Sequence, residues 1–501
     1  MKLNRKPLPK TQGRLKVRTA ALCGIDRRYG APFGSVFKGM GAVCTDGKTL
    51  HGAPAWEKVY TFPDTLYPQS LTAVDGGLFS MCRLLGKFGD AYIQDENMHL
   101  VVYKEDGRVY TSLPVAARWE NEEIPLASDI NAPRSMVQFN VYSGEGKLLN
   151  ALGEAYDKKL LIFPDKMSVD LPVNTDGFRV KHMEEERGDV PNLNYVTVQG
   201  GRLFGVDGGR IYASAYNDPW DWQVDTPLDI GAENAWVTAT GADTRGDGDF
   251  RGVCAYDGKV WAMKEDFGHI VCGESNPFTV KDTDAIGAID ARGIARGDGR
   301  LFFIRSDGVW MAEGSSAAVI SDPLCINRFT TGICTYSNGV LYVAEGESLY
   351  LYHVKSGSWS AIPLPEHGTL VSLVAGGQGV YALTSANIWD SCIHRLGGSV
   401  GNWGAEFAPV DFYTDTNVGP ATFTLQGVLG EGASLSATLT DCATGRCTPL
   451  GGVTGTGGGF RLRKFVGLRG GHRYIVGVSV TGEATLHGMT LTARDGVKDD
   501  G

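Results

Sequence analysis

A short strand with alternating apolar and polar positions, opened by glycine and rich in aromatic residues, recurs through the middle of this 501-residue chain. The clearest copies are GRLFGVDGGRIYAS from Gly201, GKVWAMKEDFGHIVCGE from Gly258, GRLFFIRSDGVWMAEG from Gly299, GVLYVAEGESLYLYHV from Gly339 and GVYALTSANIWDSC from Gly379. Their starts lie 57, 41, 40 and 40 residues apart. In each copy the apolar run reaches a polar turn of Gly, Asp or Asn and resumes as a second strand. Period-two patterning half-buries a strand, and Gly, Asp and Asn tolerate the positive φ of tight hairpin turns, so the pattern predicts repeated β-hairpins.

Further hairpins precede these copies. DGGLFSMCRLL (75–85) and DAYIQDENMHLVVYKEDGRVYTSLP (90–114) predict three or four strands, with a turn at Glu105, Asp106 and Gly107. Residues 115–150 read as an irregular insertion or a short helix, and KKLLIFPDKMSVDLP (158–172) as another strand pair leading into the charged connector RVKHMEEERGDVPN. Six or seven units of about 40 residues, each too small to bury its own apolar face, are expected to stack radially. The expected fold is therefore all-β: a propeller of six or seven blades over residues 46–404, preceded by an extended arm at 1–45. From residue 405 to 495 the grammar changes. Cleanly alternating strands at 422–426, 434–440, 473–480 and 484–492 predict a C-terminal β-sandwich, and 496–501 form a polar tail.

Composition agrees with this layout. Sixty-eight glycines against ten methionines favour many turns and little helix. No apolar run approaches the roughly 18 residues of a membrane span, and the basic N-terminus has no apolar signal core behind it, so a soluble protein made in a cytoplasm is expected. The ten cysteines show no Cys-x-x-Cys and no histidine at ligand spacing, which argues against a zinc site and reads as reduced, strand-buried thiols. Cys442 and Cys447 are the one pair that could span a hairpin.

Charge is segregated. The chain carries a net −10, yet Lys2, Arg5, Lys6, Lys10, Arg14, Lys16, Arg18, Arg27 and Arg28 face a single acid, Asp26, in the first thirty residues. A basic arm on an acidic body suits docking on an acidic protein neighbour or on nucleic acid, with a solvated tail as the alternative.

Candidate chemistry is sparse. The turn DTRGDGD could place Asp243, Asp247 and Asp249 around a hard cation, but it lacks the loop length and terminal Glu of an EF-hand and reads more readily as a solvated turn between propeller strands. The Asp-containing turns SDGVW (306–310), YDGKVW (256–261) and EDGRVY (105–110) resemble those of sialidase-type propellers as a structural device. No convergent carboxylate pair, no HExxH, no GxSxG and no phosphate loop stands out, so neither catalysis nor a cofactor is expected. NDPWDW (217–222) sets Trp220 and Trp222 beside a proline turn, either as packing between blades or as an interface with a neighbouring subunit.

The segment NYVTVQGGRLFGVDGGRIYASAYNDPWDW resembles tailed-bacteriophage virion proteins, in particular the tail-hub or packaged-DNA-stabilisation proteins of short-tailed phages. The residues that carry it are 202–204, 211–214 and 218–222. The resemblance implies a non-enzymatic, multi-copy ring at the neck or tail, assembled in the bacterial cytoplasm. Its implied neighbours are portal, adaptor or tail proteins, and DNA contact would come only through the basic arm. The competing reading is a carbohydrate-binding or glycan-degrading receptor-binding propeller.

Overall fold

The computed structural model describes residues 15–88, 91–116, 134–141, 157–186, 189–224, 231–238, 248–314, 316–411, 420–469 and 471–494. The recurring hairpin of the sequence is the second and third strand of a four-stranded blade. The turn before it explains the periodic glycine. Asp75 and Gly76, Gly200 and Gly201, Asp257 and Gly258, Asp298 and Gly299, and Asn338 and Gly339 all take positive φ at both central positions. This is the turn whose twist matches that of the strands it joins.

Seven blades follow in order. The first runs from Leu66–Pro68 and Thr72–Val74 through Gly77–Phe88 and Ala91–Lys104 to Val109–Thr111. The next five begin with Ser135–Val141, Tyr195–Gln199, Gly252–Tyr256, Ile294–Gly297 and Ile333–Ser337. The seventh holds Thr369–Gly376, Gly379–Asn387 and Asp390–Val400, and its outermost strand is Pro54–Thr61 from the other end of the chain. The innermost strands touch one another in sequence order, and that of the seventh blade touches Thr72–Val74, so the ring is closed. Seven apolar clusters fill the seven seams. Phe79, Met81, Leu160 and Ile162 fill the first, and Tyr381, Leu383, Ile393, Leu78 and Val101 close the last.

The segment 115–150 is not simply an insertion, because Ser135–Val141 lies within it as the first strand of the second blade. The charged connector carries one helical turn, Met183–Glu186.

The expected arm and sandwich need correction. From Leu15 onward the N-terminal segment is folded into the sandwich. One sandwich sheet contains Cys23–Ile25, Ser35–Met40, Trp403–Phe407, Arg473–Thr481, Ser434–Asp441 and Cys447–Thr454. The other contains Gly458–Gly467, Pro420–Leu429, Ala484–Arg494, Leu50–Gly52 and Ala42–Val43, with Leu15–Ala20 also on Ala484–Arg494. Ala42 pairs with Ala361 of the sixth blade, so this sheet continues into the propeller as one ten-stranded sheet. The boundaries at 45 and 404 therefore do not separate independent bodies. A single core runs from Phe423, Leu425 and Val476 of the sandwich to Leu341, Val343 and Trp359 of the propeller. Gly24 sits so close to this junction that an added Cβ would lie 2.3 Å from the Trp359 carbonyl oxygen.

Candidate functional site

Five of the basic arm residues, Lys2, Arg5, Lys6, Lys10 and Arg14, lie outside the described residues. The other four are not on a free arm. Lys16 and Arg18 belong to the Leu15–Ala20 strand and pair in register with Ala493 and Leu491. The Arg27 backbone N–H donates to Pro323 O at 2.8 Å, and its guanidinium lies 5.9 Å over the Tyr350 ring. Arg28 forms an ion pair with Asp26 at 2.8 Å, and the hydrogen bonds from Arg28 hold that carboxyl below its usual value. Beside them is a groove of 470 Å³ lined by Arg28, Tyr29, Phe33, Phe37 and Arg473, in which Tyr29 is 91% exposed. Leu15 is paired with Arg494, so the chain enters and leaves the described structure side by side.

The tryptophans are not an interface. Trp220 and Trp222 are both buried, in the seam between the second and third blades with Phe139, Leu161, Phe163 and Leu203. The physical reason is that the two aspartates of NDPWDW turn the backbone instead of facing a partner. Asp218 Oδ1 accepts from Trp220 N at 3.0 Å and Asp221 Oδ1 from Gln223 N at 3.1 Å, while Trp222 Nε1 donates to Pro219 O at 2.8 Å. Arg202 of the same segment is internal too. Its guanidinium donates to Ser214 O, Asn234 O and Ala232 O at 2.7, 2.8 and 2.6 Å, and burial pulls its pKa below the usual value.

Of the candidate cation turn, Asp243 and Asp247 lie outside the described residues. Asp249 is exposed; burial, and next the charge of Asp249, raise the pKa of the neighbouring Asp207. No disulfide joins any of the ten cysteines, Cys442 and Cys447 included.

Two sites remain. The axial channel has a volume of 340 Å³ and is lined from all seven blades, with Arg134, Arg292 and Arg296 on its wall. Each arginine is engaged within the protein. Arg134 meets Asp165 at 2.9 Å, both side chains being fully buried; Arg292 meets Asp290 at 2.7 Å and Val371 O at 2.9 Å; Arg296 donates to Ala255 O at 2.8 Å. These contacts tie neighbouring elements together around the axis.

The other site was not legible as a motif. His367, in the turn before the seventh blade, meets Cys392 and His394 of the Asp390–Val400 strand, and the three ligand-type atoms lie within 4.8 Å of one another. Residues 392 and 394 share a face because side chains alternate along a strand. His367 Nε2 is 3.7 Å from Cys392 Sγ and 3.1 Å from Asp390 Oδ1, and His367 Nδ1 is 3.0 Å from Thr384 Oγ1. His394 is buried, and its Nε2 has no hydrogen-bond partner. Burial, then the adjacent His367 and Lys58, push its pKa down to about 4, so the imidazole is neutral at pH 7. His367 and His394 open onto a 470 Å³ cavity between the sixth and seventh blades, walled by Trp56, Ile362, Leu364 and Pro365.

No family model and no curated protein matches the sequence. Among solved structures, the chain is similar to the WD40 domain of Neurospora crassa Pan2, at 7% identity over 69% of this chain and 96% of that one, with a TM-score of 0.41. It is also similar to the AfRom2 CNH domain (9% identity, 68% and 99% covered, TM-score 0.37). A third likeness is to a luciferin-regenerating enzyme (10% identity, 69% and 95% covered, TM-score 0.31). The propeller stands on the strand pairing and ring closure of this chain itself.

Proposed function

We propose that this chain is a non-enzymatic structural component of a phage particle, present in several copies as a ring at the neck or tail. In this reading it joins neighbouring portal, adaptor or tail proteins. The observation that carries the proposal is the ten-stranded sheet that welds the propeller to the sandwich. A block of this kind is suited to holding neighbours at fixed positions, and Leu15 and Arg494, the first and last described residues, lie side by side at one edge of the sandwich. The first fourteen residues hold five basic side chains and no acidic one, on a chain of net charge −10. Such a segment is suited to docking on an acidic neighbour or on DNA. On the folded body, the exposed Tyr29 with Arg28 and Arg473 beside it offers a separate basic and aromatic surface.

The fold sets where the docking segment can be cut. Removal of residues 1–14 leaves every described strand in place, whereas removal of 1–28 would take Leu15–Ala20 and Cys23–Ile25 out of the sandwich. The chain lacking residues 1–14 is expected to melt like the full chain and to be missing from assembled particles. Thermal unfolding and immunoblots of purified particles check both halves, and normal incorporation of the shortened chain would remove the docking role.

A further inference from the structure

We propose that His367, Cys392 and His394 bind a borderline-soft divalent metal ion, zinc in the first instance, at the seam where the N-terminal strand closes the propeller. The donor set is one thiolate and two imidazoles, which suits zinc better than hard oxygen-seeking cations. The spacing fits as well. Bonds of about 2.3 Å to sulfur and 2.0–2.1 Å to nitrogen at a tetrahedral angle put the two donor atoms roughly 3.6 Å apart. Cys392 Sγ and His367 Nε2 are separated by 3.7 Å.

The surroundings are those of a ligand set. Thr384, fully enclosed, holds His367 Nδ1 at 3.0 Å and so turns Nε2 towards the cysteine, as outer partners of metal-bound histidines do. His394 contributes a buried ring whose Nε2 finds no hydrogen bond in the protein, a cost that metal coordination by the ring or an accompanying water would offset. Asp390, with its carboxylate 3.1 Å from His367 Nε2 and partly open to solvent, is placed to take the fourth position. Binding replaces the Cys392 thiol proton by the metal and releases that proton to solvent.

The location gives the metal a task. His367 precedes the first strand of the seventh blade, and Cys392 and His394 lie on its third. Thr61 of the closing strand pairs with Cys392, its Oγ1 3.7 Å from the sulfur. A bound ion would therefore clamp the blade against which the N-terminal strand docks, and would stabilise the closed ring by mass action.

The test uses the full chain, stripped with a chelator and titrated with Co²⁺ and then Zn²⁺. About one cobalt per chain is expected, with a thiolate-to-cobalt charge-transfer band that zinc abolishes and a higher melting temperature on loading. Cys392→Ser should lose the band, and Thr384→Val should weaken binding roughly 10–100-fold. The Cys442→Ser, Cys447→Ser double variant should behave as the parent. His367→Gln, in a turn at the blade's edge, covers the case in which Cys392→Ser fails to fold, and should also lose tight binding. The proposal is overturned if the stripped parent takes up no cobalt, or if the band survives in either ligand variant.

Discussion

A chain that begins at Phe62 is expected not to fold, although the cut falls before the first strand of the first blade. Two losses coincide. The Pro54–Thr61 strand is the fourth strand of the seventh blade, in register from Cys392 opposite Thr61 to Leu396 opposite Trp56. Its side chains fasten it on both sides, with Arg395 meeting Glu57 at 3.0 Å and Trp56 Nε1 donating to Pro363 O at 2.9 Å. The same cut removes Leu22, Ile25, Val36 and Leu50 from the core that the sandwich shares with the propeller. Burial of each such side chain stabilises by about 1.5–3 kcal/mol, and the four together match the roughly 5–15 kcal/mol net stability of a typical domain. Circular dichroism and size-exclusion chromatography should show an aggregated or unfolded chain. A monomer with the parent's melt would contradict closure by the N-terminal strand.

Arg202→Met is expected to be the most damaging single substitution in the third blade. Methionine keeps the length and apolar stem of the side chain but removes the donors that Ser214 O, Ala232 O and Asn234 O share. The buried Ser214 carbonyl, left without its donor, costs about 1–3 kcal/mol, while Ala232 O keeps the Asn276 N–H at 3.3 Å and Asn234 O is partly buried. Arg202 is only 1% exposed and Ser214 is fully enclosed, so water reaches Ser214 O only if the blade opens. The ring of Phe278, 5.5 Å from the guanidinium carbon, would lose its cation as well. Arg202→Lys restores one donor and should fall between the two. Urea midpoints for the three chains give the comparison, and a methionine variant within about 1 kcal/mol of the parent would show that the arginine is dispensable.

The propeller was legible because its hairpins announce themselves locally. An Asp-Gly or Asn-Gly pair ahead of an apolar, aromatic strand carries the whole instruction, and it recurs at Asp257, Asp298 and Asn338. The sandwich strands from 420 onward were legible for the same reason, since Ser434–Asp441 alternates as plainly as its burial does. What connects distant parts of the chain was not legible. Ala42–Val43 and Leu50–Gly52 are too short to show a period, and beyond each other they pair with strands more than three hundred residues away. Trp220 and Trp222 stayed open between packing of blades and an interface, because Pro and two Asp around them resemble a surface turn. Those aspartates instead cap the backbone, and the indoles turn inward. The His367 cluster escaped for a geometric reason: ligand spacings familiar from loops and helices do not include a Cys-x-His on one face of a strand, completed by a turn 25 residues upstream.

The resemblance to phage virion proteins rested on residues that prove to be internal: Arg202, Leu203, Phe204, Ile211, Trp220 and Trp222 build the third blade and its seam. They fix a scaffold, and the proposed role in assembly rests instead on the welded sheet and the basic segment ahead of Leu15. Quantitative mass spectrometry of purified particles from the culture that encodes this chain tests that role most directly. The account predicts the chain in several copies per particle, at a fixed ratio to the portal. Its absence from particles, while it is abundant in the same lysate, would contradict it.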